Sequence, residues 1–217
     1  MKTLALLGIM LCAVVCSAGC FFLDERPAAT VAPTTVPVTA TSTPSEATVS
    51  TLEPAAMALQ LSDLPSGYII RERADIPYSD ASQFAREKGW QKGYKVSFYR
   101  MDAEKYDITS ISQQVDIYHI DNIHLVDSAM KIIFDQAEDD ILAYGNDTVT
   151  VTELPFPKTG DQTSAYRIAD SNNTYGIMRY VVVFTDKNVI EAIEMKGTTT
   201  DYEVLKGIAA EAAGKIQ

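Results

Sequence analysis

The clearest strand pattern in the chain is YGIMRYVVVFTDKNVIEAIEM, residues 175–195. Two runs rich in β-branched and aromatic residues, 175–184 and 189–195, flank the four polar residues 185–188. Strand-forming runs separated by a short polar connection are typical of an antiparallel hairpin. We therefore predict that this part of the chain forms a hairpin within an antiparallel sheet.

A helix is predicted to follow this hairpin and to end the chain. Gly197 ends the second run, and Thr200 with Glu203 three residues later has the spacing of a helical capping box. Apolar residues then recur at positions 202, 205, 208, 212 and 216, which lie on one face of a helix. That face predicts packing of the helix against the sheet.

The same patterns extend upstream. They predict strands over residues 68–75, 94–101, 108–120, 147–154 and 164–169, and the second and third of these are expected to form a hairpin. A short helix is predicted from Ser79 to position 88, and the longest helical pattern covers residues 123–144. The order β-α-β-β-α-β-β-β-β-α predicts an α+β fold, in which about three amphipathic helices cover a mainly antiparallel sheet.

The first twenty residues predict export. An apolar run over residues 4–15 would form a helix about 18 Å long, which is too short to span a bilayer. Small residues at 17–19 lead directly to Cys20, as at a signal-peptidase site. We therefore expect residues 1–19 to be a signal peptide, and lipid on Cys20 to anchor the chain at the extracytoplasmic face of the cell membrane.

Composition separates a stalk from a domain. Residues 27–54 are rich in Pro, Thr, Ser and Ala and contain no aromatic residue, so they cannot bury enough apolar surface to fold. We predict that residues 20–56 form the lipidated cysteine and a disordered stalk, and that residues 57–217 form a single globular domain. Because the three cysteines lie at positions 12, 16 and 20, this domain has no disulfide.

Several segments resemble a known group of proteins. The Ala-Gly-Cys signal, the Thr/Pro stalk, LSDLPSGY (61–68) and GWQKGYKVSFYR (89–100) resemble segments of uncharacterised surface lipoproteins of methanogenic archaea. The predicted strand order, which ends in a hairpin and a helix, is similar to that of the Mog1/PsbP-like fold. Members of that fold are mostly binding or assembly modules rather than enzymes, so the resemblance implies a binding role.

The predicted domain contains few groups suited to catalysis. It has no cysteine, and its two histidines are His119 and His124. We therefore predict no catalytic residue, no metal site and no cofactor. The acidic run 138–140 is interpreted as a solvated helix face rather than a calcium site. A hydrolase that uses His119 with Asp116 or Asp121 is the alternative, although no G-x-S-x-G motif is present.

Binding is the predicted role. Trp90 and Tyr94 are the candidate binding residues, with core packing as the alternative interpretation. Asn146 and Asn172 begin N-x-T sequons and are possible N-glycosylation sites in an exported protein. A net charge of −11 and the absence of a basic stripe exclude nucleic acid as a partner.

Together these observations predict a lipid-anchored cell-surface protein with a non-enzymatic binding or scaffolding domain. Its expected partners are the membrane, through lipid on Cys20, and an extracellular protein or glycan. The alternatives are a small extracytoplasmic hydrolase that uses His119 and a structural component of the envelope.

Overall fold

Seven strands form one antiparallel sheet in the computed structural model, which describes residues 49–105, 107–126, 128, 149–172 and 175–216. The strands are β1 (Ile69–Ile76), β2 (Trp90–Asp102), β3 (Asp107–Tyr118), β4 (Val149–Glu153), β5 (Gln162–Asp170), β6 (Met178–Asp186) and β7 (Val189–Gly197). Their order across the sheet is β1-β2-β3-β7-β6-β5-β4. The predicted antiparallel sheet and both predicted hairpins, β2–β3 and β6–β7, are confirmed.

Three helices have both of their ends in the described ranges, and two of them are only four or five residues long. They are α1 (Pro54–Met57), α2 (Gln83–Glu87) and α3 (Tyr202–Ala213), with 3₁₀ turns at Leu61–Asp63 and Ile120–Asn122. Residues 123–126 and 128 are helical, as expected for the start of the predicted helix over 123–144, and positions 129–148 lie outside the described residues. The described part of the domain is therefore mostly β, with α3 as its one long helix.

The β6–β7 connection is tighter than the four residues predicted. Thr185 and Asp186 pair with Ile190 and Val189, so that only Lys187 and Asn188 form the turn. Lys187 has a φ of 56°, and a positive φ is what the twist of a two-residue hairpin loop favours. The prediction was wrong here because polar residues can continue a strand ladder until the turn itself.

The sheet buries side chains on both of its faces. On one face, which we call the first core, Val189, Ile193 and Met195 of β7 pack with Phe98 and the buried side of α3. On the opposite face, the second core contains Trp90, Tyr118, Tyr166, Val181, Val183 and Ile190. Alternation along each strand sends successive residues to opposite cores.

Both predicted helix caps are displaced. The N-cap of α2 is Ser82, whose hydroxyl accepts a hydrogen bond from the backbone N–H of Ala85, and not Ser79. The N-cap of α3 is Asp201 and not Thr200. The carboxylate of Asp201 accepts hydrogen bonds from two backbone N–H groups of the first turn, which a threonine hydroxyl does less well.

Packing against the domain begins before the predicted boundary at residue 57. Ser50 is buried, and its backbone N–H donates a 2.8 Å hydrogen bond to Oδ1 of Asn188 in the β6–β7 turn. Leu52 packs against the first core. The domain therefore includes residues 50–56, because they share its core and its hydrogen bonds.

The signal peptide, Cys20 and the stalk up to position 48 lie outside the described residues. Among the helices that are described, none has the length and apolar character needed to cross a bilayer.

Candidate functional site

A pocket of about 370 Å³ opens at one end of the sheet, beside the first turn of α3. Its wall includes Tyr68 and Arg100 on one side, and Met195, Thr200 and Val204 on the other. We call it the Arg100 pocket. Its residues come from the segment before β1, from β2, from β7 and from the start of α3, so only the folded sheet brings them together.

The loop between β7 and α3 is held close to β3. A Cβ atom on Gly197 would overlap the backbone carbonyl of Ile108, so this close approach requires glycine. The backbone N–H of Thr198 donates a 2.9 Å hydrogen bond to that same carbonyl. The hydroxyl of Thr109 donates to the backbone carbonyl of Thr199 at 3.1 Å. These contacts fix the loop that carries Thr200 into the pocket.

Arg100 is a partly buried cation whose one charged-group contact, among the residues that the structure describes, is with an aromatic ring. Its guanidinium lies over the ring of Tyr68, 5.1 Å from the ring centroid. A Cβ atom at Gly67 would lie 3.3 Å from the Cδ of Arg100, so the stem of the side chain runs close to that turn. Within the described part of the chain, it forms neither an ion pair nor a hydrogen bond. Its N–H groups are therefore available to a ligand. Burial raises the pKa of the Tyr68 phenol, so this ring is neutral beneath the cation.

The opposite side of the pocket combines one hydroxyl with an apolar surface. The hydroxyl of Thr200 makes no hydrogen bond to any other described residue. Met195 is 1% exposed, and with Val204 it supplies the apolar surface. The Asp201 carboxylate also reaches the pocket, but it already accepts the backbone N–H groups of Glu203 and Val204. The arrangement can bind a ligand through donors and apolar contact.

A buried carboxyl group lies elsewhere, in the first core. Glu191 is fully buried, and the side-chain amide of Gln113 donates a 2.6 Å hydrogen bond to its Oε2. The carbonyl oxygen of the same amide accepts the backbone N–H of Leu59 at 2.7 Å. Burial raises the pKa of Glu191 to about 8, so this carboxyl group is protonated near neutral pH. Its other oxygen, Oε1, has no hydrogen-bond partner in the described structure.

A second buried carboxyl group holds Trp90. The indole Nε1–H donates a 2.8 Å hydrogen bond to Oδ1 of Asp116, and Gln114 donates to Oδ2 at 2.6 Å. Burial raises the pKa of Asp116 to about 6. The cluster needs Gly93, because a Cβ atom there would overlap Oδ1 of Asp116. This arrangement makes Trp90 a structural residue.

The predicted aromatic binding residues do not form a site together. Trp90 is 6% exposed and belongs to the second core, whereas Tyr94 is partly buried against the first core. They therefore lie on opposite faces of the sheet, and neither lines the Arg100 pocket. Core packing, the alternative interpretation in the sequence, describes them better than an exposed binding patch.

The histidines also lie away from the pocket. His119 precedes the 3₁₀ turn rather than lying in a strand as predicted, and its side chain is 57% exposed, with Nδ1 3.3 Å from a carboxylate oxygen of Asp121. His124 is exposed. Asp116 hydrogen-bonds to Trp90 and Gln114, so it does not orient His119.

The remaining predicted sites are placed as follows. Asn172 is exposed in the turn after β5, whereas Cys20, Asn146 and the acidic run 138–140 lie outside the described residues. Across the residues that are described, no three side chains of His, Cys, Asp or Glu come together as a metal-binding group.

Comparison with known proteins identifies no family for the chain. No family model matches it, and no curated protein matches it. Among solved structures, the chain is similar to the extracellular domain of PknH from Mycobacterium tuberculosis, with 12% identity and a TM-score of 0.49. That similarity covers 75% of this chain and 93% of the PknH domain chain. A likeness this distant transfers no function, and the resemblance to archaeal lipoproteins and to the Mog1/PsbP-like fold stays a prediction.

Proposed function

We propose that the chain is a lipid-anchored protein of the extracytoplasmic membrane face whose domain binds a small ligand group in the Arg100 pocket without transforming it. The observation that carries this proposal is the Arg100 guanidinium, which has no ion-pair or hydrogen-bond acceptor among the described residues and lies in a partly apolar pocket. A partly buried cation without an internal acceptor is costly to fold around unless water or a ligand satisfies its donors. Convergent polar groups in a concave apolar site are the usual mark of a ligand site.

The point where the tether joins the domain supports this proposal. The segment that leads back toward Cys20 meets the domain at Ser50, which is hydrogen-bonded to the β6–β7 turn. The pocket lies at the other end of β7, beside Thr200. Because β7 has nine residues, these two ends are separated by about 30 Å. A protein held by lipid on Cys20 would therefore present the pocket away from the point where its tether leaves the domain.

The geometry gives less support to the hydrolase. A general base must lie within hydrogen-bonding reach of the group that it activates. In the described structure, the ring of His119 contacts the carboxylate of Asp121, and no serine or threonine hydroxyl is hydrogen-bonded to that ring. His119 and the pocket also use different parts of the molecule, because the pocket is lined by residues of β2, β7 and α3.

A fragment screen by nuclear magnetic resonance tests the proposed site. The isotope-labelled chain beginning at residue 21 is mixed with neutral, cationic and anionic fragments, and the backbone and arginine side-chain signals are followed. We expect binders to shift the signals of Arg100, Thr200 and Val204. If binders are found and all of them shift signals elsewhere, or if none of the fragments binds, the pocket is not the ligand site.

A further inference from the structure

We infer that the Arg100 pocket binds monocarboxylates that carry a compact apolar group. This inference rests on the proposed function and names the ligand class of the same site. Its basis is the juxtaposition, within a single pocket, of a guanidinium and a hydroxyl that have no hydrogen-bond partner among the described residues and of a buried apolar surface.

The guanidinium selects a planar anion. Its N–H groups form a rigid fork that matches the two oxygens of a carboxylate, and such paired bonds are stronger than neutral ones. The stacking of Arg100 on Tyr68, together with the packing of Gly67 on its stem, restricts its orientation before a ligand arrives. Pre-organisation of this kind lowers the entropic cost of binding. The hydroxyl of Thr200 can donate a further hydrogen bond.

The apolar surface selects the rest of the ligand. Met195 and Val204 lie across the pocket from Arg100, and Pro65 and the ring of Tyr68 complete the apolar wall. The volume of about 370 Å³ is near the lower end of the range for small-molecule pockets, roughly 300–1,000 Å³. This volume accommodates a carboxylate together with a branched aliphatic group the size of a leucine side chain.

The charges favour a monoanion over a dianion. Among the residues that line the pocket, Arg100 is the one basic residue and Asp201 is the one acidic residue. Asp201 occupies the backbone N–H groups at the start of α3 that would otherwise attract a phosphate. The chain as a whole has a net charge of −11, which repels a second negative charge. A phosphate group, which carries about 1.5 to 2 negative charges near pH 7, is therefore disfavoured.

Two sources could present this chemistry. One is a free short-chain acid, and the other is the C-terminal residue of a peptide. Both offer one carboxylate next to an apolar group, so the experiment compares them directly. The probes are isovalerate and its amide, and N-acetyl-Gly-Leu with a free or an amidated C-terminus.

The wild-type chain is titrated with all four probes by nuclear magnetic resonance. We expect both acids to shift the signals of Arg100 and Thr200 at millimolar concentrations, and each amide to bind about ten-fold more weakly or worse. Tighter binding of the peptide acid identifies a peptide C-terminus as the source, and equal binding shows that the short acid is sufficient. If the amides bind as tightly as the acids, or if neither acid binds, the inference is wrong.

Failure of this inference is distinguishable from failure of the proposed function. Neutral or cationic fragments that bind in the pocket, while the acids do not, would refute carboxylate selection and leave the pocket as the ligand site. The absence of any binder in the pocket would refute both.

Substitutions provide a second test with a matched control. Arg100→Gln should weaken binding of both acids about ten-fold or more and leave binding of the amides unchanged. Arg71→Gln makes the same change of charge at an exposed position of β1 outside the pocket and should leave all affinities unchanged. Thr200→Val preserves shape, removes the hydroxyl and should weaken the acids by a smaller factor. Equal affinity of the folded Arg100→Gln and Arg71→Gln proteins for the acids would overturn the inference.

Discussion

The buried carboxyl group of Glu191 predicts that the domain loses stability as pH rises through neutrality. Its pKa is about 8 in the folded domain, against 4.5 for an ordinary glutamate, because burial disfavours the charged form. Between these two values the folded state holds a proton that the unfolded state has released. The free energy of unfolding must therefore fall as pH rises. The contribution of Glu191 is complete below about pH 4.5 and is lost by about pH 8.

The magnitude follows from the shift. Each pH unit in the window lowers the free energy of unfolding by about 1.4 kcal/mol for one group, so the whole window is worth about 5 kcal/mol at most. Asp116 behaves in the same direction, with its pKa raised from 3.8 to about 6. Asp116 is largely ionised in both states above about pH 6. The decrease in the free energy of unfolding between pH 6 and pH 8 is therefore assigned to Glu191. Over those two units we expect a loss of about 2 kcal/mol, because the folded group is itself half ionised at pH 8.

The assay is urea unfolding of the chain beginning at residue 21, followed by circular dichroism at several values of pH. Glu191→Gln keeps an oxygen that can accept the Gln113 amide hydrogen bond but cannot ionise in this range. The variant should show a nearly flat stability profile between pH 6 and pH 8. Asp116→Asn is the control, because it should flatten the profile below pH 6 and leave the upper slope unchanged.

The results that would refute this prediction concern the slope of the free energy of unfolding against pH, and not its absolute value. Glu191→Gln also leaves amide hydrogens in the core that need a partner, so it can be less stable than wild type at pH 5. A wild-type profile that is flat between pH 6 and pH 8 would show that Glu191 is ionised in the folded domain. A slope that persists unchanged in Glu191→Gln would assign the titration to another group.

Three further predictions concern the tether, the Trp90 cluster and the anchor. A chain beginning at Met57 should melt about 4–8 °C below one beginning at Val49. The shorter chain lacks a buried hydrogen bond and the packing of Leu52, which together contribute about 2 kcal/mol to stability. Equal melting temperatures would contradict this. Gly93→Ala should lower the free energy of unfolding by about 2 kcal/mol or more and shift the indole signal of Trp90, whereas Gly207→Ala, which has open space around it, should be neutral or stabilising. In cell fractionation, Cys20→Ser should leave the protein uncleaved or release it to the medium, and normal processing with membrane retention would refute the anchor.

The sheet was predictable because strand patterns are local. In the second half of β7, Ile193 and Met195 alternate with Glu194 and Lys196, and this alternation assigns one face of the strand to a core. The same alternation also marks Glu191, which shares the parity of these apolar residues and is therefore placed inside. The sequence could indicate that this carboxyl group is buried, but the degree of desolvation depends on strands from other parts of the chain.

Boundaries and caps were less predictable. β2 begins at Trp90, four residues before the predicted start, because a bulge between Trp90 and Lys92 interrupts the alternation. The helix caps moved by one and three residues because neighbouring Ser, Thr and Asp side chains are all competent caps. Which of them acts depends on where the preceding strand or turn ends.

The pocket was not predictable from local sequence. Its residues are separated by as many as 139 positions, from Pro65 to Val204, and no motif connects them. The sequence favoured the aromatic residues around Trp90 as the binding site. In the fold, Trp90 packs in the second core and donates a hydrogen bond to Asp116, 26 residues away. The pocket depends on the pairing of β3 with β7, which places residues of β2 near α3, and a single sequence does not reveal that long-range pairing.

The most direct test of the central claim is to titrate the labelled protein with isovalerate while two side-chain signals are followed, the Nε–H of Arg100 and the indole N–H of Trp90. We expect a saturable shift of the Arg100 signal and no change in the Trp90 signal, because Arg100 lines the pocket whereas Trp90 lies in the second core. A shift of the Trp90 signal with none at Arg100 would refute the Arg100 pocket as the ligand site and favour the aromatic residues around Trp90 instead.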